Sequence, residues 1–366
     1  MQNEFVFGFL GLGLIGGSLA KTARRVFPNC HIMAFDTDET ALSLSVKEGI
    51  LNTALHGITK ELANCHYIFL CAPVHYNIEY LPQLKQYLPK HCMLTDVGSV
   101  KNDIYEAISQ EGLSDQFIGG HPMVGSEQSG YLASKDRLFE NAYYFLTPSE
   151  SVPKEAVEQF FALIQALGGL PILVTPKEHD WIVSAISHVP HVVAASLVNL
   201  ASEEDTPDGL FKKLAAGGFK DITRIASSSP TVWQHILLSN PTNIVNQLTQ
   251  FQASIEEVKQ AILQKDASSI YHFFETAREY RDSLPEGGVG VIRKNYEIYV
   301  NVADQTGIIA VVTTLLGSNG LSIKNIGIIH SREYEEGALK IAFYEENSAH
   351  QAADILEKYN FTVYKR

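Results

Sequence analysis

Residues 5–10 (Phe-Val-Phe-Gly-Phe-Leu) form an unbroken apolar run with no polar alternation. A strand covered on both faces reads this way, and such strands belong to parallel sheets flanked by helices. Shorter runs of the same kind recur at 31–35, 67–71, 93–97, 116–119 and 143–147, with helix-forming stretches between most of them. Strands alternating with helices predict an α/β domain with a doubly wound parallel sheet over residues 1–174.

From 175 to 284 the periodicity changes to that of helices, and no strand-like run stands out. Thr175-Pro176-Lys177-Glu178 is a capping box with proline at the first helical position. Ser229-Pro230 and Asn240-Pro241 repeat the cap-then-proline start signal. This segment is expected to be all-helical. Its faces are richer in Val, Ala, Leu and Ile than a small monomeric bundle buries, which points to a homodimer interface. A glycine-rich linker, 285–295, follows. Beyond it the pattern reads strand 296–302, helix 306–316, strand 321–329, strand 338–344, helix 350–358 and strand 361–364. That order, βαββαβ, is the ferredoxin-like arrangement, and it assigns residues 296–366 to a third domain.

Composition narrows the partners. The formal net charge is −13, so nucleic acid and anionic membranes, which need a positive field, are not expected. An anionic small substrate would require a local cationic clamp. Cys30, Cys65, Cys71 and Cys92 include no CxxC pair and read as reduced, buried thiols, with a zinc site as the competing reading. The first residues resemble a folded strand more than a targeting segment, and no continuous apolar run reaches the ~18 residues of a membrane span. A cytoplasmic protein without a membrane partner is the expectation.

Gly11-Leu12-Gly13-Leu14-Ile15-Gly16 matches G-x-G-x-x-G between a strand and a helix, the context that makes this pattern a dinucleotide-binding loop. Gly11 permits the tight turn, Gly13 lets a pyrophosphate approach the backbone, and Gly16 lets helix and strand pack closely. Asp36 ends the second strand, 20 residues beyond Gly16, where an acid hydrogen-bonds the adenosine ribose. Its charge would repel a 2′-phosphate, so NAD is the expected cofactor. A glycine turn followed by a helix-capping acid is the competing reading. A Rossmann-like fold by itself specifies no reaction.

Several side chains could carry chemistry. His121, in Gly119-Gly120-His121-Pro122-Met123, follows a strand and so sits at the carboxyl edge of the sheet, placed to take a proton as hydride leaves. A loop histidine satisfied by backbone competes with that reading. Ser99, in Asp96-Val97-Gly98-Ser99-Val100-Lys101, could face the same edge or simply cap the next helix. His179, Asp180, His188 and His191 lie on one apolar helical segment. Asp180 and His191 are 11 residues apart, hence on one face but ~16 Å apart along the axis, and Pro190 should kink the helix. They could border one elongated cleft, or be core histidines satisfied by backbone. Their spread along the helix argues against a metal site. Arg224, after Gly217-Gly218, is placed to clamp a carboxylate or to pair with Asp221.

Together, Gly11 to Ser18, Asp96 to Lys101, Gly119-Gly-His-Pro-Met-Val-Gly125, Ser187-His-Val-Pro-His191 and Gly217-Gly-Phe-Lys-Asp-Ile-Thr-Arg224 resemble the prephenate/arogenate dehydrogenase family. The resemblance implies a Rossmann-like domain, then a helical dimerisation domain, and the NAD-dependent oxidative decarboxylation of prephenate to 4-hydroxyphenylpyruvate in tyrosine biosynthesis. It implies that His121 binds the substrate's ring hydroxyl and accepts its proton, that Ser99 orients both, and that Arg224 binds a substrate carboxylate. His179, Asp180, His188 and His191 fall where the family has cleft and gating residues, and Ser126 and Glu127 at positions near the substrate. Residues 296–366 resemble an ACT domain. Asp304 and Gly307, with Asn325, fall where such domains bind an amino acid, which implies feedback inhibition by L-tyrosine. A purely structural or oligomerising module is the alternative. Arogenate, or both substrates, would suit the same base and clamp. A β-hydroxyacid dehydrogenase shares the domain plan, but it would place a catalytic lysine on the helix that here carries histidines. A non-enzymatic NAD and amino-acid sensor would leave base and clamp idle.

Overall fold

Strand β1 (Val6–Leu10), buried over its last four residues, occupies the centre of a five-stranded parallel sheet. In spatial order the sheet is β3 (Thr53–Leu55), β2 (His31–Phe35), β1, β4 (Tyr67–Leu70) and β5 (Met93–Asp96). This computed structural model describes residues 5–125, 128–284, 296–302, 306–329 and 338–365. Successive strand residues point to opposite faces, so the continuous apolar runs supply two cores at once. Phe7, Phe9, Ile32 and Phe69 join one cluster, while Leu10, Met33, Ile68 and Leu70 join the other.

Beside β5 a second, three-stranded sheet is formed by β6 (Ile118–Pro122), β7 (Tyr143–Pro148) and β8 (Leu170–Leu173), linked to β5 by the single parallel bridge Leu94–Phe117. Here the expected parallel order fails, because β7 runs antiparallel to β6. Among the described residues their connection holds only the single turn Tyr131–Ala133 and no α-helix of the kind that usually carries a parallel crossover. Two strands escape the sequence pattern. β3 is only three residues long, and β8 is a partly exposed strand interrupted by Pro171.

The helical segment packs onto this sheet within one compact unit, Met1–Ser283. Thr175 Oγ1 accepts from Glu178 N–H at 3.2 Å and Thr175 N–H donates to Glu178 Oε2 at 2.8 Å, the reciprocal capping box. Pro230 and Pro241 each open a helix, Pro230–Ser239 and Pro241–Gln264. The helix Pro176–Glu203 does not break at Pro190. Instead its turn Ser184–His188 widens to a π-turn, with Val189 N–H donating to Ser184 O, so the missing donor of Pro190 is absorbed. By length and composition this helix is apolar enough to cross a membrane, contrary to the expectation drawn from continuous runs. Its polar residues His179, Asp180 and His188 are nevertheless buried in the protein. Other apolar residues of the segment are exposed, among them Leu200, Leu238, Ile262, Leu263 and Phe274.

The second unit, Leu284–Arg366, contains β9 (Tyr296–Asn301), helix Ile308–Ser318, β10 (Ile323–Ile329), β11 (Ala338–Phe343), helix Glu346–Lys358 and β12 (Thr362–Lys365). Its antiparallel sheet has the order β10-β11-β9-β12, the ferredoxin-like topology. Ile298, Val300, Val312, Leu316, Ile341, Phe343 and Leu356 fill its core.

Candidate active site

The glycine loop has the geometry its spacing predicts. Gly11 adopts φ +103°, and a Cβ there would lie 2.6 Å from Ala72 N. A Cβ on Gly16 would lie 2.1 Å from Gly11 O, so helix Leu14–Val26 approaches the strand as only glycine permits. A Cβ on Gly13 would meet nothing within 4 Å. Gly13, Leu14 and Ile15 line a cleft of about 680 Å³, and the first helical turn holds no acidic side chain. The free amides and positive dipole end therefore face open space sized for a pyrophosphate. Asp36 Oδ2 accepts from Leu12 N–H at 2.5 Å and its Oδ1 from Asp38 N–H at 2.8 Å, which fixes the carboxylate beside the loop. These residues fit NAD.

The same cleft is walled by Val97, Gly98 and Ser99 on one side and by Thr231, Val232, His235 and Ile236 on the other. Ser99 is half-buried there and does not cap the following helix, which starts at Asn102. That helix is capped from a distance. Asp180 accepts Lys101 N–H at 2.9 Å and Asn102 N–H at 3.1 Å. Burial raises the Asp180 pKa, and these two amides oppose the shift.

His121 is not among the residues lining this cleft; it lies within β6 and is only 9% exposed. Its strand is pinned to β5 because Gly120 N–H donates to Asp96 Oδ1 at 3.1 Å. A Cβ on Gly120 would lie 2.6 Å from Asp96 O, so the glycine before His121 is what permits the approach. His121 Nδ1 lies 2.8 Å from His179 Nε2, and His179 Nδ1 lies 2.7 Å from Asp180 Oδ1. His121 Nε2 has no hydrogen bond to a described residue. Burial, then His179, Lys101 and His188, hold the His121 pKa well below its usual value; burial foremost pushes His179 down to about 2. Both are neutral imidazoles at neutral pH.

This placement corrects part of the sequence reading. His179 is fully buried and Asp180 is 5% exposed, so neither borders the cleft; they stand behind His121. His188, expected at the cleft, is 1% exposed. Its Nδ1 is 3.5 Å from Asn240 Nδ2, its Nε2 is buried without a partner among the described residues, and burial lowers its pKa to about 4. Asn240 does not cap its own helix, because its side chain donates to Asp180 O at 2.7 Å. His191 is half-buried and stacks on Trp233, ring centroids 3.7 Å apart. Arg224 is exposed, makes no ion pair with Asp221 or any other described residue, and lies close enough to His191 to help lower its pKa, after burial. Gly217 and Gly218 do not break a helix; they open one, Gly217–Thr223, and Arg224 follows it. Ser126 and Glu127 lie outside the described residues, as does Asp304.

Three features were not foreseen. Lys101 is fully buried, with Nζ 2.5 Å from Asp96 Oδ2 and 2.7 Å from Gly120 O. His75 and His235 stack across the cleft at 5.2 Å, and both line it. Trp233 supports His191. The motif Asp96-Val-Gly-Ser-Val-Lys101 contains the first pair, and two opposite charges in so apolar a stretch were the available signal. Nothing in the sequence linked residues as distant as 75 and 235 or 191 and 233.

Residues 19–173 match the family described as the nucleotide-binding domain of prephenate dehydrogenase, and residues 175–276 match its dimerization domain. The prephenate dehydrogenase of Bacillus subtilis is 38% identical over 349 residues, 95% of this chain and 94% of that protein. Among solved structures, prephenate dehydrogenase from Aquifex aeolicus in complex with hydroxyphenyl propionate and NAD⁺ superposes with a TM-score of 0.73 at 30% identity, covering 77% of this chain and 99% of that one. Synechocystis arogenate dehydrogenase gives 0.69 at 29% identity, covering 77% and 100%. The chain therefore belongs to the prephenate dehydrogenase family of NAD-dependent oxidoreductases.

Proposed function

We propose that the chain oxidises prephenate to 4-hydroxyphenylpyruvate with loss of CO₂, and that His121 is the base. The observation that carries this reading is the His121 side chain, neutral, held at Nδ1 and without a hydrogen bond at Nε2 to any described residue, on a strand pinned to Asp96, whose neighbours Val97, Gly98 and Ser99 wall the cleft that begins at the dinucleotide loop. When bound, NAD⁺ takes up the hydride from the ring carbinol carbon. His121 Nε2 accepts the hydroxyl proton, and aromatisation as the ring carboxylate leaves makes the step effectively irreversible. The protein's tasks are then proton removal, orientation and carboxylate recognition. Ser99 orients the hydroxyl from the cleft wall. Arg224, with no carboxylate partner among the described residues, and His191 beside it receive a substrate carboxylate.

The proposal extends to assembly and control. The exposed apolar residues of the helical segment are covered by a second copy, giving a homodimer. The four cysteines form no disulfide, which suits a cytoplasmic location. The C-terminal unit is an ACT-like sensor of L-tyrosine. Its helix Ile308–Ser318 starts after Gly307 in a left-handed conformation, φ +87°, and Asn325 is exposed beside a register shift in β10. The test mixes the purified chain with NAD⁺ and prephenate, then arogenate, each with and without L-tyrosine, and follows NADH absorbance. A prephenate-dependent rise that tyrosine suppresses is expected. A rise with arogenate alone changes the substrate, insensitivity to tyrosine removes the sensing role, and no rise with either substrate rejects the activity.

A further inference from the structure

We propose that His179 and Asp180 are positioning residues that set the tautomer of His121 and thereby decide which of its nitrogens is the base. The inference rests on His121 acting as the base. Its logic follows from counting protons along a buried chain. Asp180 can only accept: it takes the amide N–H groups of Lys101 and Asn102, and Oδ1 also meets His179 Nδ1 at 2.7 Å. The His179 proton therefore sits on Nδ1. A neutral imidazole has one N–H, so His179 Nε2 is an acceptor, and the atom 2.8 Å away, His121 Nδ1, must donate to it. His121 Nε2 is left with a free lone pair.

The surroundings close off the alternatives. His179 is fully buried, with Phe145 edge-on to its ring at 5.2 Å. The nearby Lys101 ammonium is engaged by Asp96 and Gly120 O. Placing the His121 proton on Nε2 instead would leave two lone pairs facing each other, or demand a His179 cation where burial opposes one. In the reaction the substrate O–H bond breaks and its proton goes to His121 Nε2. The electron pair of that bond becomes the second bond of the carbonyl as hydride passes to NAD⁺. The resulting His121 cation still donates from Nδ1 to His179 and Asp180 stays ionised; when CO₂ leaves, its C–C electron pair enters the ring, the carbonyl becomes a phenolate, and that oxygen takes the proton back from His121 Nε2. Asp180 belongs to the helical segment yet caps a helix of the α/β segment, so the base acquires its correct tautomer only when both are assembled.

His179→Leu and His179→Gln separate positioning from structure in the full-length enzyme. Leucine leaves the His121 Nδ1–H unsatisfied and favours the Nε2–H tautomer. kcat should fall on the order of 10–100-fold while the prephenate KM changes by less than about threefold. Glutamine, whose Oε1 can accept from His121 Nδ1–H, should recover kcat to within about tenfold of wild type. Nitrogen-15 NMR of histidine-labelled protein should show the His121 proton moving from Nδ1 to Nε2 in the leucine variant only. A leucine variant with normal kcat, equal losses in both variants, or an unchanged His121 tautomer would each overturn the inference. His121→Asn is the control: normal turnover there would reject His121 as the base, and the NMR result would still report the tautomer.

Discussion

Replacing Lys101 by methionine strips a buried carboxylate of its only cation among the described residues. Lys101 Nζ donates to Asp96 Oδ2 at 2.5 Å and to Gly120 O at 2.7 Å, and both residues are almost wholly removed from solvent. In Lys101→Met, Asp96 keeps the amide donors of Gly98 and Gly120, at 2.9 and 3.1 Å, but no countercharge. Breaking a buried ion pair from one side costs about 3–5 kcal/mol. At roughly 2–4 °C per kcal/mol for a unit of this size, the unfolding midpoint should drop by about 6–20 °C. Asp96→Asn in the same chain removes the stranded charge and should restore more than about half of the loss, a coupling that a double-mutant cycle measures directly. The assay is thermal and urea unfolding of the two single variants and the double variant, alongside kcat, since Gly120 immediately precedes His121. A loss below about 1 kcal/mol, or strictly additive effects, would refute the reasoning that these charges depend on each other.

Acid should destabilise the fold early. His179 and His188 titrate near 2 and 4 in the folded chain, against 6.5 when unfolded, so the unfolded chain binds more protons below pH 6.5. Stability present above pH 6.5 is therefore lost as pH falls, through about 4 for His188 and further for His179, by up to ~1.4 kcal/mol per histidine per pH unit, while the raised Asp180 pKa offsets part of this at the acid end. A midpoint that is flat from pH 7 to 5 would contradict this. Gly16→Ala drives a Cβ into Gly11 O and should weaken NAD binding at least about tenfold by calorimetry, the scale of a modest loop shift; unchanged affinity would detach the loop from the cofactor. Arg224→Ala should raise the prephenate KM with little change in kcat, because a carboxylate clamp acts on ground and transition states alike. An unchanged KM would remove Arg224 from the site.

The sequence made most of the sheet legible because its strands are unbroken apolar runs separated by helix-forming stretches, and the glycine loop legible because backbone sterics fix its spacing. β3 and β8 were too short or too broken by proline to register, and the direction of β7, antiparallel to β6, is a property of strand pairing that an apolar run does not carry. The capping box at Thr175 is local chemistry and was readable. The roles of His179, Asp180 and His188 were not, since one helix face can front a cleft or a neighbouring strand, and only the packing distinguishes them. The Lys101–Asp96 pair lay inside a motif already noticed, but burial, which gives it meaning, is a tertiary property.

The most direct measurement is steady-state turnover of His121→Asn against wild type, with prephenate and NAD⁺ both varied. Asparagine keeps a polar group near Nδ1 but offers no base at Nε2. kcat should fall on the order of 10²–10⁴-fold, the usual contribution of a positioned base, with NAD affinity unchanged. Turnover within a few-fold of wild type would contradict the assignment of His121 and with it the proton path through Nε2.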